Sequence, residues 1–222
     1  MADLAPITDY PSLLAALEAY LARDDLQAFA PLFVQQAEGR FNTDLKVVDM
    51  HASVGPTVLD ASGGVALPAD FIDWISVRWY PVAPSTQRPL FLNYREPDSP
   101  EFRHRHRPNG VPSFYTLLGG KVRIAAAVPG SLEVFYYERI PPLTVASPVN
   151  WLITKAPEVY LYAALWEAML FQKDEVRSAQ WSVLLNSRLA AIFGQTDSQK
   201  VGTRQARAAN DAADMAAAKN MT

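Results

Sequence analysis

One aromatic-rich stretch, residues 150–171, constrains the fold more than any other part of this chain. It reads NWLITKAPEVYLYAALWEAMLF and holds two tryptophans, two tyrosines and a phenylalanine among leucines and alanines. A helix that crosses a membrane needs about 18 consecutive apolar residues. This run is interrupted by Lys155, Pro157, Glu158 and Glu167. The membrane interpretation therefore fails, and we expect protein to pack on several sides of a helix that is apolar almost all round.

Helical periodicity also occurs near the start of the chain. Residues 10–44 carry two apolar stripes at the helical period, which predicts two packed helices. Either Asp24 or Asp25 can cap the second helix through its carboxylate. Pro31 leaves the start of that helix open, because proline fits a first turn but not a helix interior.

Two further helices are predicted after residue 149. Pro157 suits the first turn of a helix that runs to about Gln172. Asp174 can cap the next helix, which Gly194 is expected to end. The apolar stripe of that last helix consists of Trp181, Leu184, Leu185, Leu189, Ile192 and Phe193.

The middle of the chain has turn and strand signals instead. Gly119 and Gly120 can take positive φ in a tight hairpin, and Pro129 with Gly130 marks a second turn. Lys121 and Arg123 alternate with Val122 and Ile124, as in a sheet with one covered face. These signals predict a three-stranded antiparallel meander, with another hairpin at residues 62–64.

The predicted fold class is α+β. A four-helix body, formed by residues 1–46 and 148–194, is split in sequence by an inserted antiparallel β region over residues 47–147. Residues 195–222 have good helix formers but few large apolar side chains, so they cannot form a core of their own. We expect them to form a C-terminal docking tail, extended or helical.

Charge and cysteine content limit the possible functions. Twenty basic and twenty-three acidic residues give a net charge of −3, which disfavours DNA as the primary ligand. The absence of cysteine excludes disulfides, thiolate zinc sites and a cysteine nucleophile, and it fits synthesis in the cytosol. The sequence also lacks the common nucleophile, phosphate-loop, dinucleotide and zinc-protease motifs.

The FRHRHR segment, residues 102–107, is the one unusual charged cluster. Arg103, Arg105 and Arg107 could contact an anion, either a phosphate or the acidic side chains of a neighbouring subunit. Alternatively, this is a solvated loop balanced by acidic residues just upstream. A metal site at His104 and His106 is disfavoured, because the surrounding arginines repel a cation.

Four blocks in the same order carry a resemblance to a known family. They are residues 30–45 (APLFVQQAEGRFNTDL), 67–71 (LPADF), 114–144 (FYTLLGGKVRIAAAVPGSLEVFYYERIPPLT) and 150–168 (NWLITKAPEVYLYAALWEA). Together they resemble the head-to-tail adaptor (connector) proteins of short-tailed bacteriophages. The resemblance implies a structural virion protein of the neck, not an enzyme, with no cofactor, no metal and no membrane contact, assembled in the host bacterial cytoplasm.

The resemblance also implies the partners. They are further copies of the chain in a closed ring of twelve, the portal protein above, and tail nozzle or fibre proteins below. Genomic DNA passes through the lumen without specific binding. An alternative is a small DNA-binding or packaging-associated phage protein that uses the Arg103–Arg107 loop and binds in a salt-dependent way. An undetected hydrolase with His51 as base has no supporting residues nearby.

A closed ring requires two different contact surfaces on each subunit. Within the aromatic stretch we expect Val159, Ala163, Trp166 and Leu170 to face the helical body, and Tyr160, Tyr162 and Glu167 to contact a neighbour. Interface cores favour aromatic residues and arginine. The further candidates for subunit or partner contact are Trp74, Trp79, Tyr137, Arg103, Arg105 and Arg107, and those for portal docking by the tail are Arg204, Arg207 and Met215.

Overall fold

The computed structural model describes residues 6–82, 88–103, 111–125 and 129–219. The chain divides into two compact units. The helical unit consists of Met1–Asp49 and Ile140–Thr222, and the β unit consists of Met50–Arg139. The predicted α+β class is confirmed.

The described helices and strands are as follows. The helices are α1 (Tyr10–Leu21), α2 (Ala30–Asp44), α3 (Pro100–Arg103), α4 (Trp151–Lys155), α5 (Pro157–Phe171) and α6 (Glu175–Lys219), with 3₁₀ turns at Asp24–Phe29 and Val48–Met50. The strands are β1 (His51–Val58), β2 (Gly64–Ala66), β3 (Phe71–Pro81), β4 (Leu90–Tyr94), β5 (Phe114–Leu118), β6 (Lys121–Ile124) and β7 (Gly130–Glu138).

Local capping chemistry sets the start of α1 but not of α2. Asp9 and Ser12 form a reciprocal capping box, in which the Ser12 amide donates to Asp9 Oδ1 at 2.9 Å. Helix α2 begins at Ala30, with Pro31 in its first turn. The prediction that Asp24 or Asp25 caps α2 was wrong. These residues open a 3₁₀ turn, the N-cap position of α2 is Phe29, and the Asp25 carboxylate instead pairs with Arg23 at 2.6 Å.

Helix α5 lies at the centre of the helical unit. The Asn150 side chain accepts a hydrogen bond from the Ile153 amide and so caps α4, and Pro157 occupies the first turn of α5 as predicted. Helices α1, α2, α4 and α6 each pack against α5. The expectation that protein surrounds the aromatic stretch is therefore confirmed.

Helix α6 begins where predicted but continues much further. The Arg177 amide donates to Asp174 Oδ1 at 3.0 Å, which is the predicted cap. Gly194 does not end the helix, which runs to Lys219, so that prediction was wrong. One glycine costs a helix about 1 kcal/mol, and the alanine-rich sequence beyond it contains good helix formers that offset this cost.

The seven described strands form one sheet in the order β1-β7-β3-β4-β5-β6-β2. All neighbours are antiparallel except β4 and β5. The hairpin between β5 and β6 turns at Gly119 and Gly120, both with positive φ, as predicted. The predicted three-stranded meander was wrong at its third strand, because β7 pairs with β1 and β3 and not with β6. The hairpin at 62–64 was also wrong, because β2 pairs with β6.

The β sheet is curled. Strands β1 and β2 follow each other in the chain yet occupy opposite edges of the sheet. The connection from Val58 to Gly64 reaches at most about 21 Å, whereas the edges of seven flat strands would lie about 29 Å apart. Curling encloses a core of Val65, Val77, Trp79, Leu92, Tyr115, Val122, Ile124, Leu132, Val134 and Tyr136.

Candidate assembly surfaces

Tyr160 belongs to the core of the helical unit. It is 0% exposed, and its hydroxyl oxygen accepts a hydrogen bond from Asn150 Nδ2 at 2.7 Å. Burial also raises the pKa of Tyr160. The prediction that Tyr160 contacts a neighbouring subunit was wrong, because the side chain has no exposed surface. The helical spacing of the sequence did not predict that other helices also cover the side of α5 that carries Tyr160.

A buried polar network surrounds Tyr160, and sequence reasoning missed it. Glu38 on α2 is 6% exposed and accepts hydrogen bonds from the Leu143 amide at 2.7 Å and the Tyr160 hydroxyl at 3.4 Å. Burial raises the pKa of Glu38. Asn150 also donates to the Pro141 carbonyl at 2.8 Å. The network connects residues 140–150 to α2 and α5. In the sequence, its only sign is a glutamate beside the apolar stripe of α2.

Glu167 is likewise occupied within its own unit. It is buried, and Arg40 Nε donates to it at 2.9 Å. The Arg40 guanidinium lies over the Trp166 ring at 3.9 Å, and Trp166 Nε1 donates to Ser178 on α6. The prediction of a subunit contact through Glu167 was wrong, because its side chain is buried against Arg40 of its own unit. Trp166 faces the helical unit as expected, and it connects α2, α5 and α6.

Several aromatic and aliphatic side chains of the helical unit remain exposed. Tyr162 is half-buried and packs on Trp181, which in turn contacts the exposed Tyr20. Val159 and Ala163 are buried as predicted, but Leu170 is exposed, contrary to the prediction. An apolar patch at the end of α5 consists of Phe29, Leu32, Leu170 and Phe171, with the rings of Phe29 and Phe171 5.3 Å apart.

The tryptophans of the β unit lie on or near its core. Trp74 stacks on Tyr94 with ring centres 4.9 Å apart. Trp79 is buried in the core, so the prediction that it contacts a neighbour was wrong. Tyr137 lies on the face of β7 that points away from the core, where it is half-buried and its ring packs against His51. Contacts of Trp74 and Tyr137 with a partner stay predictions.

The outer face of the sheet carries a charged aromatic cluster. The Arg78 guanidinium lies between the rings of Phe91 and Phe135, at 4.8 and 4.5 Å. Glu133 is 3.6 Å from Arg78 and accepts a hydrogen bond from the Tyr80 hydroxyl at 2.6 Å. That hydrogen bond raises the pKa of Tyr80. Phe91 is exposed, so the cluster offers apolar area with its charges already paired.

The predicted anion loop and docking tail are not tested. Arg105 and Arg107 lie outside the described residues, as does the side chain of Arg103 at the end of α3. Arg204, Arg207 and Met215 fall within α6, but their side chains also lie outside what the structure describes. Their contacts stay predictions.

Two general features hold for the described part of the chain. No helix there has enough apolar length to cross a lipid bilayer. Nor do three or more histidine, aspartate or glutamate side chains come together there as a metal site. Exposed apolar side chains do cluster there, at the end of α5 and on the outer face of the sheet.

These features define the chain as an α+β protein with surfaces suited to assembly. The family model described as SU10 adaptor protein matches residues 8–211, which covers both units. This chain belongs to the SU10 adaptor protein family. The match confirms the resemblance at the level of a phage adaptor protein and a virion component. No curated protein matches the chain.

Proposed function

We propose that this chain is the head-to-tail adaptor of a short-tailed phage, a structural protein that joins the portal to the tail. The observation that carries the proposal is the family match over residues 8–211. The role requires stable contacts with several proteins and no chemical step, and we propose that the chain is not an enzyme and needs no cofactor.

The adaptor forms a closed ring, with twelve copies as the resemblance implies, beneath the portal. The ring extends the DNA channel and gives the tail nozzle or fibres their platform. A net charge of −3 is compatible with a channel through which DNA slides without sticking. The four-helix body, formed by α1, α2, α5 and α6, carries the contacts between copies.

The part of α6 beyond Gly194 is the arm that docks on the portal. Alanine-rich helices lose little side-chain entropy on ordering against a surface. Arg204, Arg207 and Met215 supply the charged and apolar contacts of this arm. The complete adaptor is assembled in the host cytoplasm and becomes part of the neck of the virion.

Electron microscopy of the full chain mixed with portal rings from the same phage tests the proposal. We expect a second ring stacked on one face of the portal. A chain that stays monomeric beside bare portal rings, and that binds DNA in a steeply salt-dependent manner, would overturn the proposal in favour of a DNA-binding protein.

Truncation after Thr196 tests the docking arm separately. Thr196 is buried, so this cut keeps the packed part of α6. We expect the truncated chain to retain its thermal unfolding transition but to lose portal binding. Limited proteolysis should also show protection of residues 197–222 only when the portal is present. Equal cleavage with and without portal contradicts the docking role.

A further inference from the structure

The outer face of α2 carries no charge. Between Pro31 and Thr43 the two charged residues point elsewhere, since Glu38 is buried and Arg40 pairs with Glu167. A helix with one face in water normally places charged residues on that face. The exposed residues of this face, here called the α2 face, are Leu32, Gln35, Gln36, Gly39 and Thr43.

The outer face of α6 has the same property over the stretch between Arg177 and Gly194. Ser178, Leu185 and Thr196 are buried on its inner side. Between Arg177 and Gly194 the single charged residue is Arg188, which lies on the flank 3.8 Å from Glu158. Val176 is 72% exposed and Val183 is 67% exposed. The residues directed away from α5, here called the α6 face, are Val176, Gln180, Val183, Ser187, Ala190 and Gly194.

Each face contains a glycine that nothing in the described chain requires. Gly39 and Gly194 lie inside helices, where glycine costs about 1 kcal/mol relative to alanine. Apart from its chain neighbours and its own helix backbone, a Cβ atom at either position would meet no heavy atom within 4 Å, and neither residue has positive φ. In a helix, glycine also permits another backbone to approach closely. The two glycines therefore point to close contacts with a helix outside the subunit.

We propose that the α2 face of one copy packs against the α6 face of the next copy. This inference rests on the proposed ring and names its interface. A closed ring needs two different surfaces on each subunit, and the α2 and α6 faces are two such surfaces. Both faces lack charge, so their contact buries no unpaired ion.

The side-chain sizes on the two faces are complementary when the helices run antiparallel. Leu32 to Thr43 and Val183 to Gly194 each span eleven residue steps, about 16 Å of helix. Each face is large at its amino end and small at its carboxyl end. Antiparallel packing places Leu32 near Gly194, Gln36 near Ala190, and Thr43 near Val183. The exposed Phe29 and Phe171 extend the α2 face at the end where the neighbour's Gly194 lies.

Thiol cross-linking tests the interface directly, because the chain contains no cysteine. The Gln36→Cys and Ala190→Cys variants are purified as full chains, mixed, concentrated to near their solubility limit and treated with a short bismaleimide. We expect cross-linked dimers from the mixture. A chain that carries both substitutions should give a ladder of higher oligomers.

A matched control uses Ala15→Cys, an exposed alanine on α1 outside both faces. Mixed with Ala190→Cys, it should cross-link at least tenfold less than the Gln36 variant. Equal yields from the two mixtures, or none from either, would overturn the proposed interface. A second pair, Thr43→Cys with Gln180→Cys, tests whether the two helices run antiparallel. If the first pair cross-links and this pair does not, the antiparallel arrangement is wrong.

The same variants separate this inference from the proposed function. Cross-linking between Gln36→Cys and Ala190→Cys in a chain that leaves portal rings bare supports the interface and overturns the adaptor role. A ring that stacks on the portal without cross-linking of that pair supports the adaptor role and overturns the interface.

Discussion

The two units place their charged groups differently. In the helical unit, Glu38 and Glu167 are buried and hydrogen-bonded to neighbours, while the outer face of α2, and that of α6 between Arg177 and Gly194, are uncharged. In the β unit, the core is apolar or aromatic, and Arg78 and Glu133 lie on the outer face of the sheet. Paired charges thus lie on the outer surface of the β unit. The outer face of α2, and that of α6 between Arg177 and Gly194, lack charges, as the proposed contact between copies requires.

Among the substitutions considered, removal of the central aromatic residue of the helical unit, Tyr160, should lower stability the most. Tyr160→Ala deletes a fully buried ring that contacts Phe41 with ring centres 5.2 Å apart. We expect the free energy of unfolding of the helical unit to fall by about 3–5 kcal/mol. Urea titration monitored by circular dichroism at helical wavelengths measures this loss. Tyr160→Phe, which keeps the ring, should lose only about 1 kcal/mol, and equal losses would contradict the packing role.

Removal of the buried carboxylate should have the next largest effect. Glu38→Ala leaves the Leu143 amide without its acceptor, which costs about 1–3 kcal/mol. Thermal unfolding of the wild type and the variant, compared at one pH, gives the difference. A change no larger than that of the exposed Glu18→Ala would contradict the role of the network.

The same carboxylate should make stability depend on pH. The folded state raises the pKa of Glu38 above its ordinary value of 4.5, because burial disfavours the charged form. Its favourable contribution is present below pH 4.5 and is lost as the pH rises through the raised pKa. Glu38→Gln should flatten this decline, as measured by urea midpoints from pH 4 upward, whereas Glu18→Gln should not.

The charged cluster of the β unit should contribute less. Arg78→Met removes the cation between Phe91 and Phe135 but keeps an unbranched side chain, and we expect a loss of about 1 kcal/mol. Near-ultraviolet circular dichroism of the aromatic residues follows the unfolding transition and measures this loss. Arg78→Lys should retain part of the stability, and a loss above that of Glu38→Ala would contradict the ranking of the two units.

The glycine substitutions on the α2 and α6 faces should have the smallest effect on stability, and they test most directly whether these faces contact another copy. Gly39→Ala and Gly194→Ala should each raise the free energy of unfolding by about 0.5–1 kcal/mol, since the added methyl groups meet open space. The same substitutions should weaken self-association in sedimentation velocity runs over a concentration series. Variants that gain stability and associate as strongly as the wild type would show that the helical faces are ordinary water-exposed surfaces.

Features set by nearby residues could be predicted from the sequence. The cap at Asp174, the first turn at Pro157 and the hairpin at Gly119 and Gly120 each depend on a few adjacent residues. Strand partners depend on distant parts of the chain. The residues that turn before β2 do not determine that it pairs with β6, and nothing local shows that β7 crosses to β1 and β3.

The candidate contact surfaces were predicted less well than the helices. Tyr160 and Trp79 have the residue types that interfaces favour, but cores favour the same types, so composition could not separate the two. Glu167 and Arg40 lie 127 positions apart, and their pairing follows only from the packing of α2 on α5. The uncharged faces of α2 and α6 were present in the sequence, but they became visible only once the inner side of each helix was known.

The split of the helical unit in sequence has a consequence for synthesis of the chain. Helix α2 leaves the ribosome more than a hundred residues before α5, the helix against which Phe33 and Phe41 pack. At about 5–20 residues per second this delay is roughly 6–23 s. The β unit, whose strands are complete at Glu138, can finish folding within that interval. The last part of the protein to be made thus completes the fold of the first.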